Sequence, residues 1–183
     1  MIYKTTIAGL ERELPLCKVS DDLYVAGFIM FGDVDMTVAC ARELLELAPE
    51  FDVIITTESK GIPLAFEMSR QAGHKPYVVC RKGAKLYMQD VVSVTVNSIV
   101  TEHLQSIFIG NSEREKLEGK RVLIVDDVIS TGESLAAIEK LVNKVGGNIV
   151  GKMMVLAEGE AADREDITFL EYLPLFDSEG TIG

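Results

Sequence analysis

The apolar positions of this chain fall into short runs whose period switches between two residues and about 3.6, the spacings of strands and helices. Phe51-Asp52-Val53-Ile54-Ile55-Thr56-Thr57 is rich in β-branched residues and predicts a buried strand. Pro63 to Ala72 predicts a helix, with proline in the tolerated first turn and Gly73 as its C-terminal cap. Tyr77 to Cys80 reads as the next strand, and Val91 to Val96 alternates valine with Ser and Thr, the mark of a half-exposed strand. Arg121 to Asp126 predicts a strand of Val, Leu and Ile, followed by a helix from about Glu133 to Val145 that closes at Gly146-Gly147. Val150 to Leu156 and Ile167 to Leu170 are further strands. Upstream, Ile29 to Phe31 is a short apolar run, and Asp35 is the candidate N-cap of a helix reaching about Ala48. Met36, Ala39, Leu44 and Leu47 lie near one face of that helix, and Pro49 ends it.

Strands that alternate with helices and are apolar throughout their middles predict an α/β fold, a mostly parallel twisted sheet flanked by helices on both faces. In such folds ligands bind beyond the carboxyl ends of the strands, so the loops that leave those ends carry the chemistry. A length of 183 residues suits one domain with a real core, and 48% hydrophobic with 26% charged residues is a globular composition.

Charge and cysteine usage narrow the function. A net charge of -11 argues against a nucleic-acid partner, which favours a basic face. No apolar run approaches a membrane span, and Met1 to Thr6 lacks the apolar core of a secretory signal, so the expected address is cytoplasmic with no membrane partner. Cys17, Cys40 and Cys80 are widely spaced; Cys40 and Cys80 sit in apolar runs and read as core residues of a reduced protein. His74 and His103 lack metal-ligand spacing, read as surface or loop residues, and no zinc site is expected. An anionic ligand would need cations gathered locally, and Lys60, Arg81, Lys82 and Lys85 are candidates.

The most informative stretch is Val122-Leu123-Ile124-Val125-Asp126-Asp127-Val128-Ile129-Ser130-Thr131-Gly132-Glu133-Ser134. A buried strand delivers two adjacent carboxylates to the sheet edge, and a Ser-Thr-Gly loop leads into a helix. Gly132 permits close backbone approach, and the amides that open the helix favour a phosphate. Thr131 and Ser134 add hydroxyl donors, while Asp126 and Asp127 suit sugar hydroxyls. The bland alternative is a turn with a helix cap and two solvated acids. The stretch lacks the Lys of a Walker A loop and the glycine spacing of a dinucleotide fingerprint.

Two further stretches leave strands. Glu58-Ser59-Lys60-Gly61 follows Thr57, with Lys60 as a cation and Gly61 free to take unusual dihedrals. Arg81-Lys82-Gly83-Ala84-Lys85-Leu86 places three cations within five residues, which in an acidic chain point to an anionic ligand, against the alternative of a solvated basic turn.

Residues 122–134 resemble, position by position, the signature with which type I phosphoribosyltransferases bind phosphoribosyl pyrophosphate (PRPP). The wider chain, about Gly27 to Leu175, is most similar to the adenine phosphoribosyltransferase family. The resemblance implies that sheet fold with a small N-terminal hood over residues 1–35, and transfer of the phosphoribosyl group from PRPP to a purine base, adenine foremost. It implies a PRPP site formed by Glu58, Ser59, Lys60, Gly61, Arg81, Lys82, Lys85, Asp126, Asp127 and Ser130, Thr131, Gly132, Glu133, Ser134, with Asp126, Asp127, Lys60 and Arg81 catalytic. In that family the loop after Thr57 holds the diphosphate, often through an unusual non-proline peptide bond. A Mg²⁺ cofactor would be held by Asp126 and Asp127, directly or through water, and the chain would be a homodimer.

Gly27-Phe28-Ile29-Met30-Phe31-Gly32-Asp33-Val34 resembles the family's Gly-x-x-Phe-Arg-Asp-Ile segment, so Phe31 would stack on the base while Met30 and Gly32 offer backbone contacts; Phe31 as a plain core residue is the alternative. Gly32 stands where the family has Arg, and Ser98-Ile99 replaces a Glu-Tyr pair of the family's loop. These departures weaken adenine more than phosphoribosyl transfer. Two alternatives stay open, another acceptor (xanthine, hypoxanthine, guanine or orotate) and a regulator that senses PRPP without turning it over.

Overall fold

The computed structural model describes residues 1–97 and 104–183. Its first two strands, β1 (Ile2–Ile7) and β2 (Leu10–Lys18), form an antiparallel hairpin in which Ile7 pairs with Leu10. The two residues between them, Ala8 and Gly9, both have positive φ, 48° and 75°, the backbone that matches the twist of paired strands. β3 (Tyr24–Ala26) adds antiparallel to β2, and the near-terminal β11 (Leu175–Phe176) adds to β3. A hood sheet of order β1-β2-β3-β11 results, so the small N-terminal layer also recruits the far end of the chain.

The helix α1 spans Val34–Leu47, and its N-cap is Asp33, not Asp35. Asp33 Oδ1 accepts a hydrogen bond from the Met36 amide at 3.1 Å, the reach of a cap three residues ahead. Asp35 instead lies in the first turn, where its charge suits the helix dipole. β4 (Val53–Thr57) leads to α2 (Ile62–Gln71), whose C-cap is Ala72, with Gly73 just beyond at φ +80°. β5 (Tyr77–Cys80) follows. Then β6 (Val92–Asn97) and β7 (Leu104–Ile109) pair with each other in an antiparallel hairpin. The half-exposed strand expected at Val91–Val96 therefore exists, but outside the main sheet; Arg81 and Phe108 form the bridge that ties the hairpin to the end of β5.

After α3 (Asn111–Leu117), β8 (Arg121–Ile129), α4 (Glu133–Lys144), β9 (Asn148–Glu158), a 3-10 turn at Gly159–Asp163 and β10 (Thr168–Leu173) complete the chain. β8 does not stop at Asp126. It continues through both aspartates because Val128 and Ile129 still pair with Leu156 and Ala157 of β9. The central sheet has the order β10-β9-β8-β4-β5, and every pairing in it is parallel. This is the α/β architecture that the pattern of strands and helices predicts.

Alternate residues of the central strands feed two cores. Ile54, Leu123, Val125, Met153 and Val155 pack with α1, α2 and the inner face of the hood. Val53, Ile55, Val122, Ile124 and Met154 pack with α4 and the β6–β7 hairpin. Period-two side chains on a sheet covered on both sides give this division directly. Cys40 and Cys80 are buried and Cys17 is exposed. Burial pushes the thiols of Cys40 and Cys80 up to about 12, as expected of inert core cysteines. His74 is exposed, and His103 lies outside the described residues, as do Ser98 and Ile99. No helix of the described residues is long and apolar enough to cross a membrane.

Candidate active site

Three neighbouring strands, β8, β4 and β5, end side by side at their carboxyl ends, and the loops leaving them meet around a cavity of about 420 Å³. Glu58, Ser59 and Lys60 line it from β4, Lys82 from β5, and Asp126, Asp127 and residues 130–134 from β8 and the start of α4. Gly61 lies immediately behind, at the N-cap of α2.

Gly61 has an ordinary right-handed backbone, φ -74° and ψ -10°, so unusual dihedrals are not its purpose. Space is. A β-carbon there would come within 2.2 Å of Thr56 Oγ1 and 2.7 Å of Asp126 Oδ1. The loop after β4 can approach the carboxylates of β8 only because this position has no side chain. The Glu58–Ser59 peptide bond in this loop is cis. Glu58 is drawn towards the following strand: its carboxylate accepts from the Lys82 amide and pairs with Arg81 Nη1 at 3.3 Å. The Lys82 amide and then the Arg81 guanidinium hold its carboxyl below the usual range.

The two aspartates differ. Asp127 is only 2% exposed, and its Oδ2 faces Lys60 Nζ at 3.0 Å. That contact attracts by charge but lacks hydrogen-bond geometry, so Oδ2 is a buried acceptor with no hydrogen bond. Asp126 Oδ1 accepts from the Asp127 amide at 2.9 Å. Burial, and then the neighbouring Asp127 charge, push the Asp126 carboxyl well above its ordinary range. Two carboxylates this close hold a proton readily, or a cation in its place.

The loop after β8 turns at Gly132, whose φ of +78° is left-handed. That backbone favours glycine, and a β-carbon there would meet Arg164 Nη1 at 2.8 Å, so the end of the arginine would have to shift to admit one. With Gly132 as N-cap no side chain at that position covers the first-turn amides of α4, and the positive end of a twelve-residue helix points at the cavity. Ser134 Oγ accepts from Gln105 Nε2 at 3.3 Å, which links β7 to the same loop.

The structure thus brings Glu58, Ser59, Lys60, Lys82, Asp126, Asp127, Ser130, Thr131, Gly132, Glu133 and Ser134 to one cavity. Arg81 touches it through Glu58, whereas Lys85 is not among the lining residues. Nor are Met30, Phe31 and Gly32. Met30 is 1% exposed and packs in the core, Phe31 is 53% exposed, and Gly32 turns at φ +80°. Thr56, Gln105 and Arg164 are neighbours that no motif announced. They come from a buried strand, a hairpin and a loop thirty residues on, and only the fold assembles them.

A parallel sheet with a carboxylate pair and a glycine turn at the end of β8, helices on both faces and a hood above is the type I phosphoribosyltransferase fold. Residues 39–179 match the phosphoribosyl transferase domain, and the chain belongs to that family. It is similar to the adenine phosphoribosyltransferase of Agathobacter rectalis, 34% identical over 143 residues that cover 71% of this chain and 76% of that one. It is also similar to the purine biosynthesis transcriptional repressor PurR of Bacillus subtilis, 30% identical over 126 residues, 69% of this chain but only 42% of the repressor. Among solved structures, the Saccharomyces cerevisiae adenine phosphoribosyltransferase complexed with D-DIAB and adenine shares the fold, with TM-score 0.66 and 21% identity, covering 93% of this chain and 92% of that one.

Proposed function

We propose that this chain transfers the 5-phosphoribosyl group from PRPP to a purine base, with adenine as the first candidate, giving the nucleotide and diphosphate. The observation that carries the reading is the meeting, around one cavity, of the Ser130–Ser134 loop, the Asp126–Asp127 pair and Lys60 with Lys82. A helix-opening loop suits the 5′-phosphate, adjacent carboxylates suit ribose hydroxyls, and cations suit a diphosphate. Adenine is preferred because relatives such as the Agathobacter rectalis enzyme carry that specificity in their names. Met30, Phe31 and Gly32 would serve the base from the hood. A homodimer in the cytoplasm belongs to the same proposal, on the family resemblance.

In the reaction the C1–O bond to diphosphate breaks and its electron pair leaves with the diphosphate. A ring nitrogen of the base forms the new C1–N bond, and its N–H proton passes to solvent. Amides of Ser130 to Ser134 would anchor the phosphate so that C1 stays in place, the orientation that turns a collision into a bound event. Asp126 and Asp127 would hold the hydroxyls beside the carbon that gains positive charge. Lys60, with Arg81, Lys82 and Lys85 nearby, would stabilise the negative charge gathering on the departing oxygens.

Among the described residues no group of three or more His, Cys, Asp or Glu side chains is arranged to hold a metal ion. Two adjacent carboxylates, one with a buried oxygen that has no hydrogen bond, nevertheless fit a Mg²⁺ ion that keeps waters and takes other ligands from substrate. When bound, Mg²⁺ supplies charge neutralisation to the diphosphate oxygens, and Asp126 and Asp127 would hold it directly or through water.

The test is diphosphate release from PRPP and Mg²⁺ with adenine, hypoxanthine, guanine, xanthine and orotate in turn. Turnover is expected with adenine above the others, and Asp127→Asn should lower kcat/KM by about a hundredfold or more. PRPP binding without turnover on any base would replace the enzyme by a sensor, and an unaffected Asp127→Asn variant would remove that residue from its role.

A further inference from the structure

Behind the loop that turns at Gly132 lies Arg164, which no sequence motif includes. The residue follows the 3-10 turn Gly159–Asp163, so the topology delivers it from the end of β9 to the start of α4. Two of its nitrogens are committed. Nε donates to Asp166 Oδ1 at 2.9 Å and Nη2 to Asp166 Oδ2 at 2.8 Å, a two-pronged pairing that fixes the plane of the guanidinium. Asp166 in turn receives Lys152 Nζ of β9 at 2.7 Å, and Lys152 also pairs with Glu139 of α4. The remaining nitrogen, Nη1, is the atom that a β-carbon at Gly132 would strike at 2.8 Å.

This arrangement has two physical consequences. The end of the guanidinium lies where a side chain at position 132 would begin, and so rests against the left-handed turn that opens α4. It also turns the positive end of the Arg164–Asp166 ion pair towards a loop whose own residues, Ser130 to Ser134, include only an acidic ionisable side chain, Glu133. The other cations of the site stand at the ends of β4 and β5, on the opposite side of the carboxylate pair. A positive charge held beside the amides that open a helix adds to the attraction of an anion there.

We propose that Arg164 is a positioning residue for the 5′-phosphate: clamped on Asp166, it holds Gly132 in its turn and supplies positive charge to the phosphate end of the site. The proposal rests on the function argued above, with residues 130–134 as the phosphate cradle. Arg164 is not on the cavity lining, so it acts through the loop and not by contact with the reacting atoms.

The two halves of the substrate separate its effect from a general loss of structure. Ribose 5-phosphate and inorganic diphosphate, each with Mg²⁺, are titrated by calorimetry into the whole chain and its variants. Arg164→Gln should weaken ribose 5-phosphate about tenfold and leave diphosphate within about twofold, while raising KM for PRPP with little change in kcat. Arg164→Lys, which keeps the charge, should recover ribose 5-phosphate binding to within about threefold of the unmodified chain. Asp166→Asn, which keeps the cation but loosens its clamp, should weaken ribose 5-phosphate by about threefold and spare diphosphate. Equal loss of both ligands, or unchanged ribose 5-phosphate binding in Arg164→Gln and Asp166→Asn, would overturn the proposal. If the unmodified chain binds neither ligand, the function itself fails and this inference with it, an outcome visible before any variant is made.

Discussion

Gly61 shows how much of this site depends on one missing atom. Its backbone is unremarkable, yet a β-carbon would press on Thr56 Oγ1 and Asp126 Oδ1, side chains of two different strands. Neither contact can yield cheaply, because Thr56 is wholly buried and Asp126 is held by the Asp127 amide. Gly61→Ala should therefore push the β4 loop away from the carboxylates. We expect kcat/KM to fall by about a hundredfold, about 2.7 kcal/mol of lost transition-state stabilisation. Urea unfolding should show a cost of only about 1–3 kcal/mol, typical of local overpacking. Activity within about threefold of the unmodified chain would mean that the loop and the carboxylates need not touch. The sequence marks Gly61 as special but not why: the chain alone suggests freedom of dihedral, and the structure shows a demand for space.

Besides the shared apolar core, an ion pair at the start of α1 ties the hood to the rest of the fold. Asp33 caps the helix through Met36 and accepts from Arg12 of β2 at 2.7 and 2.9 Å. The Arg12 hydrogen bonds, and more weakly the Met36 amide, hold the Asp33 carboxyl below its ordinary range. A depressed folded pKa means that the stabilisation is complete above the unfolded value of about 3.9 and is lost as pH falls below it towards the folded one. Asp33→Ala should cost about 1–2 kcal/mol at pH 7, the usual worth of a cap with a partly exposed pair. Asp33→Asn keeps the cap acceptor and should cost about half of that. In urea melts both gaps should narrow at pH 3; a gap unchanged from pH 7 to pH 3 would show that the charge contributes nothing.

The elements that pack on both faces, β4, β5, β8, α4 and β9, are legible in the sequence because burial imposes a period on their side chains. The N-terminal hairpin is less so, since its turn is Ala8-Gly9 in place of the usual Asn-Gly, and β11 has only two residues. In α3 only Leu117 is buried, so the helix has no apolar stripe to find. The loops of the proposed PRPP site are readable because residue types crowd there. The base segment was not settled in the same way, because Met30, Phe31 and Gly32 lie apart from the main cavity and their partners are fixed by how the hood docks.

On the scale of the whole molecule, an acidic chain is proposed to seize a highly anionic substrate. At a net charge of -11 the chain's overall charge repels anions, so any stabilisation by one must come from a local site that outweighs it. Ligand that binds only the folded state at a hundred times its Kd adds about 2.7 kcal/mol to the unfolding free energy. For a chain of this size that raises Tm by roughly 5–10 °C. We expect PRPP with Mg²⁺ to produce such a shift in a thermal melt, and ribose 5-phosphate a smaller one. Inorganic sulfate at equal ionic strength should produce little, because it cannot reach the phosphate loop, the carboxylates and Lys60 at once. Replacing Lys60 by Ala should remove much of the PRPP shift while leaving that of ribose 5-phosphate nearly intact, since Lys60 is proposed to serve the diphosphate. Sulfate stabilising as strongly as PRPP would reduce the site to a general anion trap, and no shift with PRPP at millimolar concentration would mean that the local cations lose to the charge of the whole.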